Sequence, residues 1–401
     1  RVSLVGIGMG AEKTLTLEGK KAFDEAELLI GAKRMTDAVQ RPGQMVLHEY
    51  RSDKIVEYIK THPQYRTVAI ALSGDVGFYS GARKLMDLLD GDVQVICGIS
   101  SVVYFMAKIG LSWDDARIVS AHGRDCNLIA LIRHNPKVFS ILGTEDGVAR
   151  LASRLVAYGM GDVTLYVGEN LSYENEKIFH ASAAELTEYR GDALSVVTAC
   201  NEKALPLPAV HGICDEEFLR GKAPMTKEEV RTVSLSKLRL QEDSVCYDVG
   251  AGTGSVSVEM ALRAWKGQVY AIEKKEDALA LLKENRRKFA TDNLEIVPGT
   301  APEAMVALPV PTHAFIGGSS GNMNEIIRLL LDKNPGVRIV INCITLETVT
   351  EAMNAIRDFS LTDVDIVQLS AARSKSIGRY HMMMGENPIY IISCSGRGEE
   401  I

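Results

Sequence analysis

The sequence predicts an α/β protein of two domains, each built on a largely parallel sheet. Apolar strand-like runs alternate with helix-like segments along all 401 residues, a pattern that is typical of βαβ units. Two glycine loops, at residues 6–10 and 250–254, each follow such a strand and lie far apart in the chain. The chain is long enough for two domains, and the two loops predict one ligand site in each.

Strands are predicted wherever short apolar runs end at small or polar residues. In the first half they are residues 2–6, 67–72, 93–97, 138–142, 163–167 and 194–198. In the second half they are residues 244–249, 268–272, 294–297, 313–316, 338–342, 365–369 and 388–394. Between the halves, residues 202–211 contain Pro206 and Pro208 and lack periodicity, so they predict an extended linker. The expected domains are therefore residues 1–201 and 212–401.

Composition narrows the possible function classes. Hydrophobic residues make up 46% and charged residues 24%, as in ordinary globular proteins. The net charge of −7 argues against a general nucleic-acid-binding surface. Apolar runs fall short of the ~18 residues needed to span a bilayer, and the first residues resemble a strand more than a signal peptide. The seven cysteines are scattered, which predicts free thiols in the cytoplasm and no metal site.

The second glycine loop has the stronger chemical signature. Asp248 ends a predicted strand, the G-x-G-x-G loop follows, and residues 255–263 have helical periodicity. Glycine lets the backbone approach a ligand, and the helix N-terminus offers free N–H groups. Glu273 ends the next strand, where a carboxylate can accept hydrogen bonds from ribose hydroxyls. The spacing differs from the G-x-G-x-x-G of dinucleotide sites and favours S-adenosylmethionine.

Two further strand ends belong to the same crevice, because ligands of open parallel sheets bind at the carboxyl ends of strands. Residues 294–297 lead to Ala301, which is predicted to contact an adenine. Residues 313–316 lead to the small residues 317–321, which are predicted to line a cavity for a bulky substrate.

In the first half, three small-residue turns follow apolar strands, in addition to the loop at residues 6–10. They lie at residues 71–80, 97–101 and 120–124. We expect them to line a cleft mainly with backbone groups.

These turns resemble the motifs of the tetrapyrrole (corrin and porphyrin) methyltransferases, which show G-x-G-P-G, S-G-D-P-x-F-Y and P-G-I-S-S. Met9, Val76 and Cys97 stand here in place of the usual prolines, and residues 122–124 are similar to the subgroup that methylates C5 of the precorrin ring. The resemblance implies a class III tetrapyrrole methylase fold of two α/β subdomains. It also implies cofactor contacts from Gly6, Gly8, Gly10, Gly74, Asp75, Gly77, Phe78, Ser100 and Ser101. His122 and Arg124 are the catalytic candidates of this half.

The second half resembles the precorrin decarboxylase/C15-methyltransferase family, which has a class I Rossmann-like methyltransferase fold. The matching segments are residues 212–218, 224–231, 299–303, 315–321, 345–348 and 381–388. Thr300 stands where the family usually has Asp. The resemblance implies S-adenosylmethionine binding by Thr226, Asp248, Gly250, Ala251, Gly252, Thr253, Gly254, Glu273 and Ala301.

The order of the two halves is similar to fused methyltransferases of cobalamin biosynthesis. That resemblance implies methylation of precorrin-6B, or its cobalt form, at C5 and C15, with decarboxylation of the C12 acetate to give precorrin-8. It also implies a homo-oligomer. A flat substrate with many carboxylates calls for local basic side chains. The candidates are Arg124, Lys227, Arg231, Arg373, Lys375 and Arg379, of which Arg373 and Arg379 are expected to face the 250–254 crevice and clamp the substrate.

Two other functions are compatible with parts of the pattern. One is a class I methyltransferase for another small molecule, RNA or protein, fused to a non-catalytic tetrapyrrole-binding domain. The acidic balance argues against RNA, and the absence of an Asn/Asp-Pro-Pro-Tyr/Phe motif argues against N-methylation. The other is a dinucleotide-dependent oxidoreductase. The three hypotheses predict that S-adenosylhomocysteine binds twice, once or not at all per chain.

Overall fold

The computed structural model describes residues 1–121, 126–206 and 211–397. The chain divides into two compact units: unit 1 comprises residues 1–124 and 135–204, and unit 2 comprises residues 125–134 and 205–401. Among the described residues, no helix is both long enough and apolar enough to cross a membrane.

The first sheet of unit 1 is entirely parallel, as the βαβ pattern predicts. Its strands are β1 Val2–Gly6, β2 Leu28–Gly31, β3 Met45–His48, β4 Val68–Leu72 and β5 Val93–Ile96, in the order β3-β2-β4-β1-β5. The helices of this part are α1 Leu17–Glu25, α2 Lys33–Val39, α3 Ser52–Thr61, α4 Ala82–Leu88 and α5 Ser101–Ile109. Parallel strands place their carboxyl ends at one edge, so the loops after β1, β4 and β5 come together there.

The second sheet of unit 1 is mixed, and here the expectation of largely parallel sheets is wrong. Its strands are β6 Arg117–Ser120, β7 Lys137–Ile141, β8 Thr164–Glu169, β9 Lys177–Ser182 and β10 Ser195–Cys200, in the order β6-β7-β10-β8-β9. Only β6 and β7 pair in parallel, whereas the other three pairs are antiparallel. The connection from β8 to β9 is too short for a crossover, which needs a dozen or more residues. The two helices of this stretch are α6 Leu128–His134 and α7 Gly147–Ala157.

Unit 2 is built on a seven-stranded sheet in the order β13-β12-β11-β14-β15-β19-β16. The strands are β11 Val245–Val249, β12 Gln268–Glu273, β13 Leu294–Pro298, β14 His313–Ile316, β15 Arg338–Cys343, β16 Thr362–Leu369 and β19 Ile389–Ser395. Strand β19 is antiparallel to both neighbours, and the other pairs are parallel. The helices are α8 Glu228–Leu238, α9 Ser255–Arg263, α10 Glu276–Lys288, α11 Met323–Lys333 and α12 Leu346–Asp358.

This sheet carries an apolar core on each face. Tyr247 and Val249 of β11 belong to one core, and Cys246, between them, belongs to the other. Successive side chains of a strand point to opposite faces, so an almost continuous apolar run such as β11 indicates a strand covered on both sides. A separate antiparallel hairpin, β17 Ala372–Ile377 and β18 Tyr380–Gly385, extends from the sheet between β16 and β19.

All of the predicted strands are present, with small differences at their ends. The sequence analysis missed β2, β3, β9 and the β17–β18 hairpin, and it expected β6 only as an apolar strand before the turn at residues 120–124, without bounds. Strand β2 has only four residues, all buried, and follows a helix without a turn signal. The hairpin residues are almost all exposed, so they show no alternation of apolar and polar positions.

Helix α6 belongs to unit 2, although in the chain it connects two strands of unit 1. Asn127, the residue before the helix, is fully buried. Its Nδ2 donates to Asn293 Oδ1 at 2.8 Å and to Ala290 O at 3.2 Å, and its backbone N–H donates to Trp265 O at 2.8 Å. The Asn293 amide in turn donates to three backbone carbonyls of unit 2. A buried amide network therefore fixes the start of α6.

We predict that Asn127→Ala lowers the free energy of unfolding of unit 2 by about 1–3 kcal/mol, because Asn293 Oδ1 and Ala290 O lose a buried donor. The measurement is urea denaturation of the full chain in a Trp113→Phe background, where Trp265 is the remaining tryptophan. The control is Asn354→Ala, which removes a surface bond to Arg357. Equal midpoints for the two variants would contradict the prediction.

Candidate active sites

A cleft of about 630 Å³ opens at the carboxyl ends of the unit 2 strands. The loops after β11, β12, β13 and β14 all contribute to its lining, as the strand-end argument predicts. Of the predicted cofactor residues, Thr226, Gly250, Ala251, Gly252, Glu273 and Ala301 line this cleft. Asp248, Thr253 and Gly254 are not part of the lining, and the first two are almost fully buried.

The glycine loop is packed so closely that side chains do not fit. Gly250 has a φ of +76°, and a Cβ placed on it would lie 2.9 Å from the backbone nitrogen of Gly318. A Cβ on Gly252 would lie 2.8 Å from Pro224 O. The loop thus presents bare backbone to the cleft, which allows a ligand to approach the main chain.

Glu273 holds this loop in place. Its Oε2 accepts a hydrogen bond from the backbone N–H of Gly252 at 2.8 Å. Its Oε1 accepts from the backbone N–H groups of Lys274 and Lys275 at 2.8 and 2.9 Å. Since each carboxylate oxygen has more than one lone pair, Oε2 keeps capacity to accept from a ligand in the cleft.

Asp248 is a buried carboxyl directly behind the loop, with 1% of its surface exposed. The Ser257 hydroxyl donates to Oδ2, while Oδ1 has no hydrogen-bond partner in the part of the chain that the structure describes. Burial, aided by the nearby Glu273 charge, raises the pKa of Asp248 to about 7. Buried polar atoms are nearly always paired, so the unpaired Oδ1 agrees with a carboxyl that keeps its proton up to about pH 7.

Residues 224–227, here called the strap, cross one side of the cleft. Arg231, which is fully buried, holds the strap by donating to Thr226 O at 2.6 Å and to Ile213 O. Its charge is balanced by Asp215, at 3.3 Å, and by Glu259, both buried. Arg231 was predicted as a candidate substrate contact, but its side chain forms hydrogen bonds and ion pairs within unit 2.

The two predicted clamp arginines lie in the hairpin and outside the cleft lining. Arg373 of β17 forms ion pairs with Glu229, at 2.7 Å, and Glu228, at 3.5 Å, at the start of α8. The hydrogen bond to Glu229 raises the pKa of Arg373 above its usual value. Arg379 lies in the turn between β17 and β18, with its guanidinium carbon 5.3 Å from the centre of the Tyr380 ring.

This placement differs from the expectation that both arginines face the crevice. The base of the hairpin, including Ala371 and Gly385, lines the cleft, whereas the Arg373 side chain is engaged by the start of α8 and Arg379 lies in the turn at the other end of the hairpin. The sequence analysis placed both arginines after a predicted strand but did not predict the hairpin. It therefore could not show that they lie outside the cleft lining.

Unit 1 has its own cleft, of about 300 Å³. The predicted residues Gly74, Phe78 and Ser101 line it. Ser73, Tyr79 and Ser120 also line it, and they belong to turns that were expected to do so. The lining further includes residues that the sequence analysis missed, most of them from the second sheet and the loop after β8: Arg34, Ile141, Leu142, Asn170, Leu171, Tyr173, Ala193, Leu194, Ser195 and Val196. They lack a shared motif, and only the pairing of β10 with β7 and β8 brings them together.

Close backbone contacts also frame this cleft. A Cβ on Gly6 would lie 2.7 Å from both Gly74 O and Gly98 N, and Gly8 and Gly74 exchange backbone hydrogen bonds of 3.1 and 2.8 Å.

Asp75 links two of the loops, because its carboxylate accepts from the backbone N–H groups of Gly77 at 2.8 Å and Gly98 at 3.0 Å. Ser100 caps α5 by accepting from Val103 N. Gly10 is packed against Tyr173. These predicted cofactor residues therefore shape the loops around the cleft.

His122 and Arg124 lie outside the described residues.

Comparison with known proteins matches both halves of the chain. Residues 1–187 match the tetrapyrrole (corrin/porphyrin) methylases, and residues 217–395 match the precorrin methyltransferase domain. A probable cobalt-precorrin-6B C(15)-methyltransferase (decarboxylating) of Pyrobaculum calidifontis is 43% identical over 188 residues, which are 46% of this chain and 96% of that protein. The chain belongs to the precorrin methyltransferases. The predictions of an S-adenosylmethionine-dependent methyltransferase and of an α/β fold are confirmed.

Similarity to a fused relative extends over both halves. The precorrin-6Y C(5,15)-methyltransferase [decarboxylating] of Sinorhizobium sp is 26% identical over 377 residues, which cover 92% of this precorrin methyltransferase and 91% of the relative. The crystal structure of precorrin-6y C5,15-methyltransferase from Geobacter metallireducens GS-15 is 39% identical, with a TM-score of 0.44, and covers 46% of this chain and 96% of that one.

The unit 2 cleft of this precorrin methyltransferase fits S-adenosylmethionine. The bare backbone at Gly250 and Gly252 leaves room for a flat ligand, and the Glu273 carboxylate at the end of β12 can accept from ribose hydroxyls. The described residues contain no group of three or more His, Cys, Asp or Glu side chains that could hold a metal ion.

We predict that Arg231→Met destabilises unit 2 by about 3–5 kcal/mol, because it leaves the buried carboxylates of Asp215 and Glu259 without their partner. The measurement is chemical denaturation followed by Trp265 fluorescence in the Trp113→Phe background. The matched control is Arg239→Met, which removes an exposed ion pair with Asp363 and should cost at most about 1 kcal/mol. If the two variants lose equal stability, the buried network is not a main support of the strap.

The raised pKa of Asp248 predicts a pH dependence of stability. Between about pH 4 and pH 7 the folded chain keeps the Asp248 proton that the unfolded chain has already lost. The free energy of unfolding therefore falls as pH rises through this window, by at most about 1.4 kcal/mol per pH unit. In Asp248→Asn this contribution is absent. The free energy of unfolding of the wild type minus that of the variant should therefore decrease from pH 4 to pH 7. Parallel stability curves for the two proteins would contradict the prediction.

Proposed function

We propose that this chain methylates precorrin-6B, or its cobalt form, at C5 in unit 1 and at C15 in unit 2, and decarboxylates the C12 acetate to give precorrin-8. The observation that carries the proposal is the presence of two strand-end clefts, one in each unit of a chain whose halves match the two methyltransferase families. The relatives named for the C15 and the C5,15 reactions support the same assignment.

In unit 2, the cofactor-binding residues that we propose are those predicted from the sequence. The backbone of residues 250–252 would cradle the cofactor, Glu273 would accept from the ribose, and the buried Asp248 would act from behind the loop. Thr226 and Ala301 would bound the adenosine. Thr253 and Gly254 would support the loop from behind, since Gly254 is the N-cap residue of α9 and is packed against Leu282.

In unit 1, we propose that the cofactor lies against the loops after β1, β4 and β5. The contacts there would be mostly backbone groups, because Gly6, Gly8 and Gly10 have no side chains and the Asp75 carboxylate is already engaged by two N–H groups. Phe78 and Ser101 would contact the ligand directly, since both line the cleft.

When bound, S-adenosylmethionine supplies an electrophilic methyl group for in-line displacement. The task of the protein is alignment, because a methyl acceptor must lie within about 3–3.5 Å of the methyl carbon. In unit 2 the rigid loop after β11 and the strap, fixed by Arg231, would provide this alignment. The reduced tetrapyrrole provides the nucleophilic carbon and the conjugated electron sink that decarboxylation requires.

The cleft supplies positive charge for the substrate carboxylates from lysines rather than arginines. Lys227, Lys274 and Lys275 all line it, and Lys274 Nζ also reaches Ser320 Oγ at 3.0 Å. The catalytic roles of His122, Arg124, Arg373 and Arg379 stay predictions. So do the homo-oligomer, the cytoplasmic location and the lack of a nucleic-acid partner.

The test is incubation of the purified full chain with precorrin-6B and S-adenosylmethionine, followed by mass spectrometry. The expected product has gained two methyl groups and lost one carbon dioxide. A product with one added methyl group and an intact acetate would contradict the decarboxylation and one of the two methylations, and an unchanged substrate would refute the proposal.

Glu273→Ala should weaken S-adenosylhomocysteine binding in unit 2 by roughly 10- to 150-fold, because a charged acceptor is lost, while C5 methylation continues. Isothermal titration calorimetry should then show one of two sites weakened. Glu273→Gln, which keeps an acceptor oxygen, should lose less, and Glu276→Ala on the exposed start of α10 is the control. Two unaltered sites in Glu273→Ala would show that this carboxylate does not bind the ribose.

A further inference from the structure

Asn342 lies in the unit 2 cleft at the end away from Glu273. It is at the carboxyl end of β15, and it lines the cleft together with Ile344, Leu369 and Ile389. In the sheet, β15 is separated from β12 by β11 and β14. Three strand spacings of about 4.8 Å place Asn342 roughly 14 Å from the Glu273 strand. This position corresponds to the substrate end of the cleft rather than to the ribose end.

Only one of the two polar atoms of the Asn342 side-chain amide has a hydrogen-bond partner among the described residues. The residue is 9% exposed, and its Oδ1 is 3.0 Å from the Ser234 hydroxyl of α8. Its Nδ2 has no hydrogen-bond partner in residues 1–121, 126–206 and 211–397. A buried donor without a partner costs about 1–3 kcal/mol, so a fold that keeps one at the wall of a ligand cleft indicates that a ligand supplies the acceptor.

Ser234 fixes the orientation of this amide. It is fully buried, and its hydroxyl lies within hydrogen-bond distance of both Asn342 Oδ1 and Val230 O, at 2.8 Å. A hydroxyl has one proton, and when Ser234 donates it to Oδ1, as the 3.0 Å distance allows, the N–H groups of Asn342 are left without a partner among the described residues. The surrounding lining residues Ile344, Leu369 and Ile389 are apolar, and an apolar setting strengthens a single hydrogen bond.

We propose that Asn342 Nδ2 donates a hydrogen bond to a carboxylate oxygen of the tetrapyrrole substrate, and that Ser234 is the residue that positions it. This inference rests on the proposed function of unit 2 and adds a residue to its substrate site. A neutral amide suits a carboxylate held in a mostly apolar part of the cleft, because it orients the oxygen without adding a second buried charge that would need its own partner.

The test uses the full chain and three variants: Asn342→Ala, Asn342→Asp and Ser234→Ala. Loss of a hydrogen bond to a charged group should raise the KM for the tetrapyrrole at the unit 2 reaction by roughly 10- to 100-fold in Asn342→Ala. The increase should be larger in Asn342→Asp, where a carboxylate faces a carboxylate. The affinity for S-adenosylhomocysteine and the C5 methylation by unit 1 should stay at the wild-type level.

Ser234→Ala should produce a smaller rise in KM and no further rise in an Asn342→Ala background, because it acts through Asn342. Asn334→Ala is the matched control. That residue precedes β15 at its opposite end and its amide already donates to Pro311 O at 2.8 Å, so its removal should leave the KM unchanged.

Equilibrium binding of the tetrapyrrole, followed by its visible absorbance, separates this inference from the proposed reaction. If the wild-type chain binds the tetrapyrrole but forms no C15 product, the proposed function fails, and a weaker complex in Asn342→Ala still supports the inference. If Asn342→Ala and Asn342→Asp bind and turn over the tetrapyrrole like wild type, the inference is overturned. A parallel loss of S-adenosylhomocysteine affinity would also overturn it, because Asn342 would then belong to the cofactor site.

Discussion

Both clefts depend on backbone segments that approach each other too closely for side chains. In unit 1 the loop after β1 touches the loops after β4 and β5 at Gly6, Gly74 and Gly98. In unit 2 the loop after β11 touches the loop after β14 at Gly250 and Gly318. Parallel strands deliver their carboxyl ends to one edge of a sheet, and glycine at the contact points lets the main chain form the floor of a ligand site. A methyl group on Gly6, Gly98 or Gly250 would meet the backbone of a facing loop at less than 3.0 Å.

Carboxylates hold these loops by accepting from backbone N–H groups. Asp75 joins two loops in unit 1, and Glu273 joins the glycine loop to the start of the next helix in unit 2. Such bonds to an ionised acceptor are stronger than neutral ones. Arg231 holds the strap in a comparable way. It donates hydrogen bonds to two backbone carbonyls and forms ion pairs with two buried carboxylates. The residues that resemble cofactor ligands in the sequence thus also maintain the shape of the loops.

The unit 2 cleft has two ends of different chemistry. At the β12 end lie a carboxylate and bare backbone, which suit the hydroxyls and the positive charge of S-adenosylmethionine. At the β15 end lies the amide of Asn342 in an apolar wall, with its Nδ2 unpaired among the residues that the structure describes. The lysines Lys227, Lys274 and Lys275 line the same cleft. Lys274 and Lys275 directly follow Glu273 and therefore lie at the β12 end, whereas the Asn342 amide lies at the β15 end.

The sequence by itself determined the α/β class, the strands that carry both glycine loops and the position of most of the predicted cofactor residues at strand ends. It could do so because strand burial and glycine spacing are local properties. Only the tertiary structure decided that the second sheet of unit 1 is mixed, that α6 belongs to unit 2 and that Arg373 pairs with Glu229 in a hairpin. It also decided that Asn342 lines the cleft. These features depend on which segments pair or pack across long sequence separations. The sequence around a charged or amide side chain does not indicate which distant residue it will contact.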